Sequence, residues 1–124
     1  MVLGHAHVGI KVADLSRSVQ FYQTHFGFTA GKYNELHREN KITKIQFLAL
    51  GQFSLELVEN PGYPGGEPSP QIHLAFGVDD YDRTIQSMRE AGVAFESDVP
   101  RGEPGSRIIF LAGPDGERLE LLER

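Results

Sequence analysis

A formal net charge of −5 over 124 residues argues against nucleic acid or an anionic membrane surface as the main partner. The length suits one compact domain, and 40% hydrophobic with 23% charged residues fits an ordinary soluble protein. With no cysteine, disulfides, thiolate metal ligands and a cysteine nucleophile are all excluded.

The opening residues Met1 to His7 lack the charged and apolar regions of a signal peptide, and no apolar run is long enough to span a bilayer. A cytoplasmic location is the expectation. Residues 6–13 alternate, with Val8, Ile10 and Val12 on one side and His7, Gly9 and Lys11 on the other, which predicts a strand. Asp14 reads as an N-cap, and Leu15, Val19, Phe21, Tyr22 and Phe26 keep helical spacing until Gly27. Phe28 to about Leu36 predicts a strand, His37 to Lys41 a loop, and 43–50 with 53–59 a hairpin around Gly51-Gln52. The Gly/Pro-rich stretch 61–70 reads as a linker. The same plan then returns: a strand at 71–78, an Asp80-capped helix at about 80–91 closed by Gly92, and strands at about 93–98, 106–112 and 117–123. The order is βαβββ twice, an α+β protein. One helix per module can cover one sheet face, which leaves the other for a partner or a pocket.

The two modules repeat chemistry as well as pattern. His7 and His73 each open a strand with an aspartate seven positions later, and Leu55-Glu56-Leu57 is echoed by Leu119-Glu120-Leu121. Strand alternation sends the leucines toward the helices and turns His7, Glu56, His73 and Glu120 to the opposite face. Taken singly, a glutamate between leucines is usually the solvated side of a sheet, and a lone histidine is more often structural than a ligand. Matched in both halves, the four point instead to a divalent metal site of two nitrogens and two oxygens. His5 shares a face with His7, but its counterpart is Gln71, so it stands outside the set. His25 and His37 fall at a helix end and in a loop, where they are expected to face solvent.

Four marks gather these residues into longer phrases: His-x-x-x-x-Val-x-Asp opening each half, Phe-Tyr-x-x-x-Phe-Gly-Phe at 21–28, Glu-Leu after the hairpin, and Pro-Asp-Gly-x-x-x-Glu-Leu at 114–121. With them the whole chain resembles the vicinal oxygen chelate superfamily (glyoxalase I, bleomycin resistance and extradiol dioxygenase proteins), and most closely its glyoxalase I-like members. Gly113 departs from the pattern, since the family commonly has aspartate there. The resemblance implies one domain over 1–124, with modules 1–60 and 71–124 joined through 61–70 and forming a cupped mixed sheet. It also implies a homodimer.

The ligand count separates the members. A six-coordinate ion on four protein ligands keeps two positions, which suits chelation of two adjacent substrate oxygens and stabilisation of an enediolate. Extradiol dioxygenases and fosfomycin-resistance transferases use three ligands, and methylmalonyl-CoA epimerases usually have glutamine at the Glu56 position. Bacterial-type glyoxalase I matches at all four. That likeness implies nickel or zinc ahead of manganese, cobalt or iron, and Glu120 as general base. It implies a small-molecule substrate, the hemithioacetal of methylglyoxal and a thiol, with Asn60 and Lys11 contacting the thiol. Lys11 stands where the family has arginine, so the bidentate fork is lost. An acyl-CoA epimerase-like enzyme and a ligand-binding or resistance protein without turnover are the alternatives.

Overall fold

In the computed structural model, which describes residues 1, 3–66 and 72–124, strand β1 (Val8–Lys11) leads to helix α1 (Leu15–Phe26). The helix begins where Asp14 accepts from the Arg17 N–H at 3.1 Å and ends on Gly27, whose φ of 73° fits a residue without Cβ. A second acceptor reaches its first turn from far along the chain: Glu59 Oε2 accepts from the Leu15 N–H at 2.8 Å. Strands β2 (Thr29–Arg38), β3 (Lys41–Leu50) and β4 (Phe53–Glu59) complete the unit Met1–Gly66. The sheet order is β1-β4-β3-β2, with β1 parallel to β4 and the other pairs antiparallel. The loop expected at His37–Lys41 contracts to two residues, because Glu39 and Asn40 both take positive φ (51° and 62°), the requirement of a tight type I′ hairpin turn. Val12, Leu15, Tyr22, Phe28, Leu48, Leu55 and Leu57 are buried, and Tyr22 meets Phe28 edge-to-face at 5.7 Å.

The unit Glu67–Arg124 holds β5 (Leu74–Val78), α2 (Tyr81–Glu90), β6 (Ile108–Ala112) and β7 (Arg118–Glu123). Its sheet runs β5-β7-β6, again with the first pair parallel. Linker positions 67–70 and Gln71 lie outside the described residues. Two expectations are corrected here. The strand at 93–98 is reduced to the single bridge Phe95↔Leu111. Beyond it Arg89 takes the carbonyls of Ser97 and Asp98 at 2.9 and 2.7 Å, and Pro100 has no N–H to offer a ladder. Asp80 does not cap α2 with its side chain: its own φ is 43°, and its carboxylate stands 3.8 Å from Arg83 instead. Among the described residues the chain is therefore α+β, two helices on two small mixed sheets.

Repeat and divergence meet at Glu123, which follows Glu120 as Glu59 follows Glu56. Glu59 serves the helix; Glu123 instead grips Arg107 through Nε and Nη2 at 2.8 Å each, and accepts from the Gly105 N–H at 2.8 Å. Arg107 also reaches Asp82 on α2 and lies over the Tyr81 ring at 5.0 Å. Tyr81 donates to the Leu121 carbonyl at 2.9 Å, and burial pushes its hydroxyl up to about 12. The Arg107 hydrogen bonds, helped by the backbone donors, hold the Glu123 carboxyl down at about 2 from an ordinary 4.5. A depressed folded pKa contributes stability that is fully present above the unfolded value and is lost as pH falls through the folded one. Urea midpoints should therefore drop between pH 4.5 and about 2. Glu123→Gln should be less stable than wild type at pH 7 and flatter across that window. Parallel pH profiles for the two proteins would count against this.

Candidate metal centre

Each strand of the repeat anchors itself by leucines and presents a glutamate between them. Leu55, Leu57, Leu119 and Leu121 are all 0% exposed, while Glu56 and Glu120 point to the other side of their strands. Neither glutamate lies open to solvent: their side chains are 23% and 14% exposed. Both histidines stand just ahead of a strand rather than within it, since β1 begins at Val8 and β5 at Leu74. Parallel pairing sets each beside its glutamate, through Gly9↔Glu56 in the first unit and Ala75↔Glu120 in the second. His7 Nε2 lies 3.8 Å from Glu56 Oε1, and His73 Nε2 lies 3.7 Å from Glu120 Oε1.

A third member was not legible in the sequence. Phe47 pairs with Glu56 across β3 and β4, and Phe110 pairs with Glu120 across β6 and β7. Each phenyl meets its histidine edge-to-face at 5.4 Å, with interplanar angles of 83° and 88°. Phe47 precedes its glutamate by nine residues and Phe110 by ten, so unequal turns hide the correspondence from a fixed offset.

The donor set suits a divalent ion. Distances of 3.7–3.8 Å are too long for a hydrogen bond, so each pair meets across a gap. Two ligands at about 2.1 Å from a common ion stand roughly 3.0–3.4 Å apart, which a small side-chain adjustment supplies here. Gly9 widens the first pair's cradle, because a Cβ at that position would lie 2.9 Å from Glu56 Oε1. Among the described residues no third His, Asp or Glu joins either pair, so each unit presents one His–Glu pair.

Lys11 and Asn60 occupy the same end of neighbouring parallel strands. Lys11 pairs with Val58 at the end of β1 on the Gly9 side, and Asn60 follows β4, its carbonyl accepting from the Tyr63 N–H at 3.2 Å. The remaining histidines are placed differently. His5 stacks on Phe53 with centroids 6.3 Å apart. His25 is only half-exposed, against Phe21, and burial lowers its pKa, correcting the expected solvent-facing position. His37 is exposed as expected but belongs to β2, 3.0 Å from Glu35.

Residues 4–121 match the family model of the Glyoxalase/Bleomycin resistance protein/Dioxygenase superfamily. The chain belongs to that superfamily. It is 32% identical to the lactoylglutathione lyase of Haemophilus influenzae, over 94% of this chain and 90% of that one. It is 28% identical to the metallothiol transferase FosB of Staphylococcus epidermidis, over 93% and 78%. Among solved structures, the trypanothione-dependent glyoxalase I of Leishmania major superposes with a TM-score of 0.79 at 30% identity, covering 94% of this chain and 84% of that one.

Gly113 has a local reason: the Glu117 carboxylate folds over it to accept from the Asp115 N–H at 2.9 Å, and a Cβ at 113 would collide with that carboxylate.

Proposed function

We propose that this chain is a metal-dependent lyase of glyoxalase I type, acting on the hemithioacetal of methylglyoxal and a thiol. The observation that carries the reading is the duplicated His–Glu–Phe unit, with both glutamates sheltered and each turned toward its histidine. His7, Glu56, His73 and Glu120 would hold one divalent ion, nickel or zinc before manganese, cobalt or iron. When bound, that ion supplies Lewis-acid polarisation of the two substrate oxygens. Glu120 moves the proton between the adjacent carbons, and Phe110 keeps water from one side of it. Lys11 and Asn60, displaced along the strands from Glu56, bind the thiol portion of the substrate. The names of two relatives, a lactoylglutathione lyase and a metallothiol transferase, support a thiol partner and, for the second, a metal. Assembly as a homodimer and a cytoplasmic location belong to the same reading. Among the described residues, no helix is long and apolar enough to cross a membrane.

Two assays test it. Metal-loaded protein should convert methylglyoxal with at least one common cellular thiol, and Lys11→Ala should raise KM several-fold with kcat nearly unchanged, the mark of lost uniform binding. Fully loaded protein inactive with every such thiol would remove the lyase reading. Proton exchange on a methylmalonyl thioester, the reaction of an acyl-CoA epimerase, would then be the next assay.

A further inference from the structure

The two half-sites are alike in histidine, glutamate and phenylalanine but not in what stands behind the phenylalanine. In the second unit Arg118, two residues before Glu120 and so on the same face of β7, lays its guanidinium over the Phe110 ring, 3.7 Å from the centroid. The Glu96 carboxylate holds that guanidinium in a two-pronged grip, with Nε and Nη2 donating at 2.8 and 2.9 Å. These hydrogen bonds hold the Glu96 carboxyl below its ordinary range. The Glu96 main chain is fixed in turn, its N–H donating to the carbonyl of Phe110 itself at 2.9 Å. Glu96, Arg118 and Phe110 therefore close a ring of contacts, and Phe110 carries it on to His73. In the first unit the position two before Glu56 is Ser54, and among the described residues Phe47 carries no stacked cation.

Histidine ligands are ordinarily oriented by a hydrogen bond from the second ring nitrogen to a carboxylate or carbonyl. His73 has none among the described residues: its directional contacts there are Phe110 and Glu120. Packing must then do the orienting, and a phenyl ring held on its face by a clamped guanidinium is a stiffer wall than an uncovered one. We propose that Arg118, held by Glu96, is a positioning residue for His73, acting through Phe110 and making the second half-site the more preorganised of the two. This rests on the metal reading above.

The test compares wild type with Arg118→Met, which keeps the apolar stem, Arg118→Lys, which keeps the charge without the planar fork, and Glu96→Gln. Zinc affinity is read by competition with a chromophoric chelator, and the His73, His7 and Phe110 ring signals by NMR of the metal-free proteins. Arg118→Met should weaken zinc binding about 10–100-fold, the usual effect of losing a group behind a ligand. Glu96→Gln should weaken it less, and Arg118→Lys should restore only part. In the metal-free proteins His73 should shift and Phe110 flip faster, while His7 stays unmoved. Tight zinc binding by wild type that changes less than twofold in Arg118→Met overturns the proposal. If wild type binds no zinc, the metal reading fails separately, and unmoved His73 signals in Arg118→Met and Glu96→Gln overturn the positioning role by themselves. A general loss of structure would move His7 and His73 together, which also counts against it.

Discussion

Glu120→Gln is expected to lower kcat by roughly 10²–10⁴, the usual worth of a general base, while leaving most of the bound metal in place. The amide keeps an oxygen that can ligate but cannot take a proton at working pH. Each glutamate has a phenylalanine across its strand pair, and Glu120 differs in having the more sheltered side chain, at 14% against 23%. A carboxylate that also held the cation would be a weakened base, so Glu120 would serve best if its hold on the ion were loose. Proton transfer belongs to the transition state, so kcat and kcat/KM should fall together with KM little changed. Steady-state kinetics on protein of measured metal content gives the answer. A fall below threefold would take the base away from Glu120 and make Glu56 the next residue to test.

The second large effect separates neighbours on one strand. Leu57→Ala, at 0% exposure, should cost about 2–5 kcal/mol, the range for truncating a buried leucine into a cavity. Against a total stability of about 5–15 kcal/mol this is a large share. Glu56→Ala, one residue away, should change the stability of metal-free protein by less than about 1 kcal/mol, because among the described residues it removes no buried hydrogen bond. Its loss should fall on metal binding and turnover instead. Urea unfolding with chelator present measures both variants. A Glu56→Ala protein as unstable as Leu57→Ala would show that Glu56 has a structural role.

That contrast is also why so much could be read from the sequence. The leucines flanking Glu56 and Glu120 are legible as anchors because burial follows the two-residue period of a strand, and all four are buried. The caps of α1 at Asp14 and Gly27 are local chemistry, so they too were readable. Long-range competition was not. Arg89 takes the carbonyls that would have extended the strand at 93–98, and the αL backbone of Asp80 turns an expected cap into a partner for Arg83. The aromatic walls Phe47 and Phe110 were missed because their places depend on antiparallel register, which unequal turns shift by one residue. Arg118 was missed for a related reason. Its partners, Glu96 and Phe110, come from the bridge segment and β6, and no spacing within β7 announces them.

If His7, Glu56, His73 and Glu120 hold one ion together, removing either histidine should release it. Native mass spectrometry of protein purified without chelator, with His7→Ala and His73→Ala beside wild type, reads ions per chain and chains per particle at once. The expected result is two chains per particle, one divalent ion per chain, and loss of that ion from both histidine variants. Two ions per chain, one for each pair, or an undiminished ion in either variant, would contradict it.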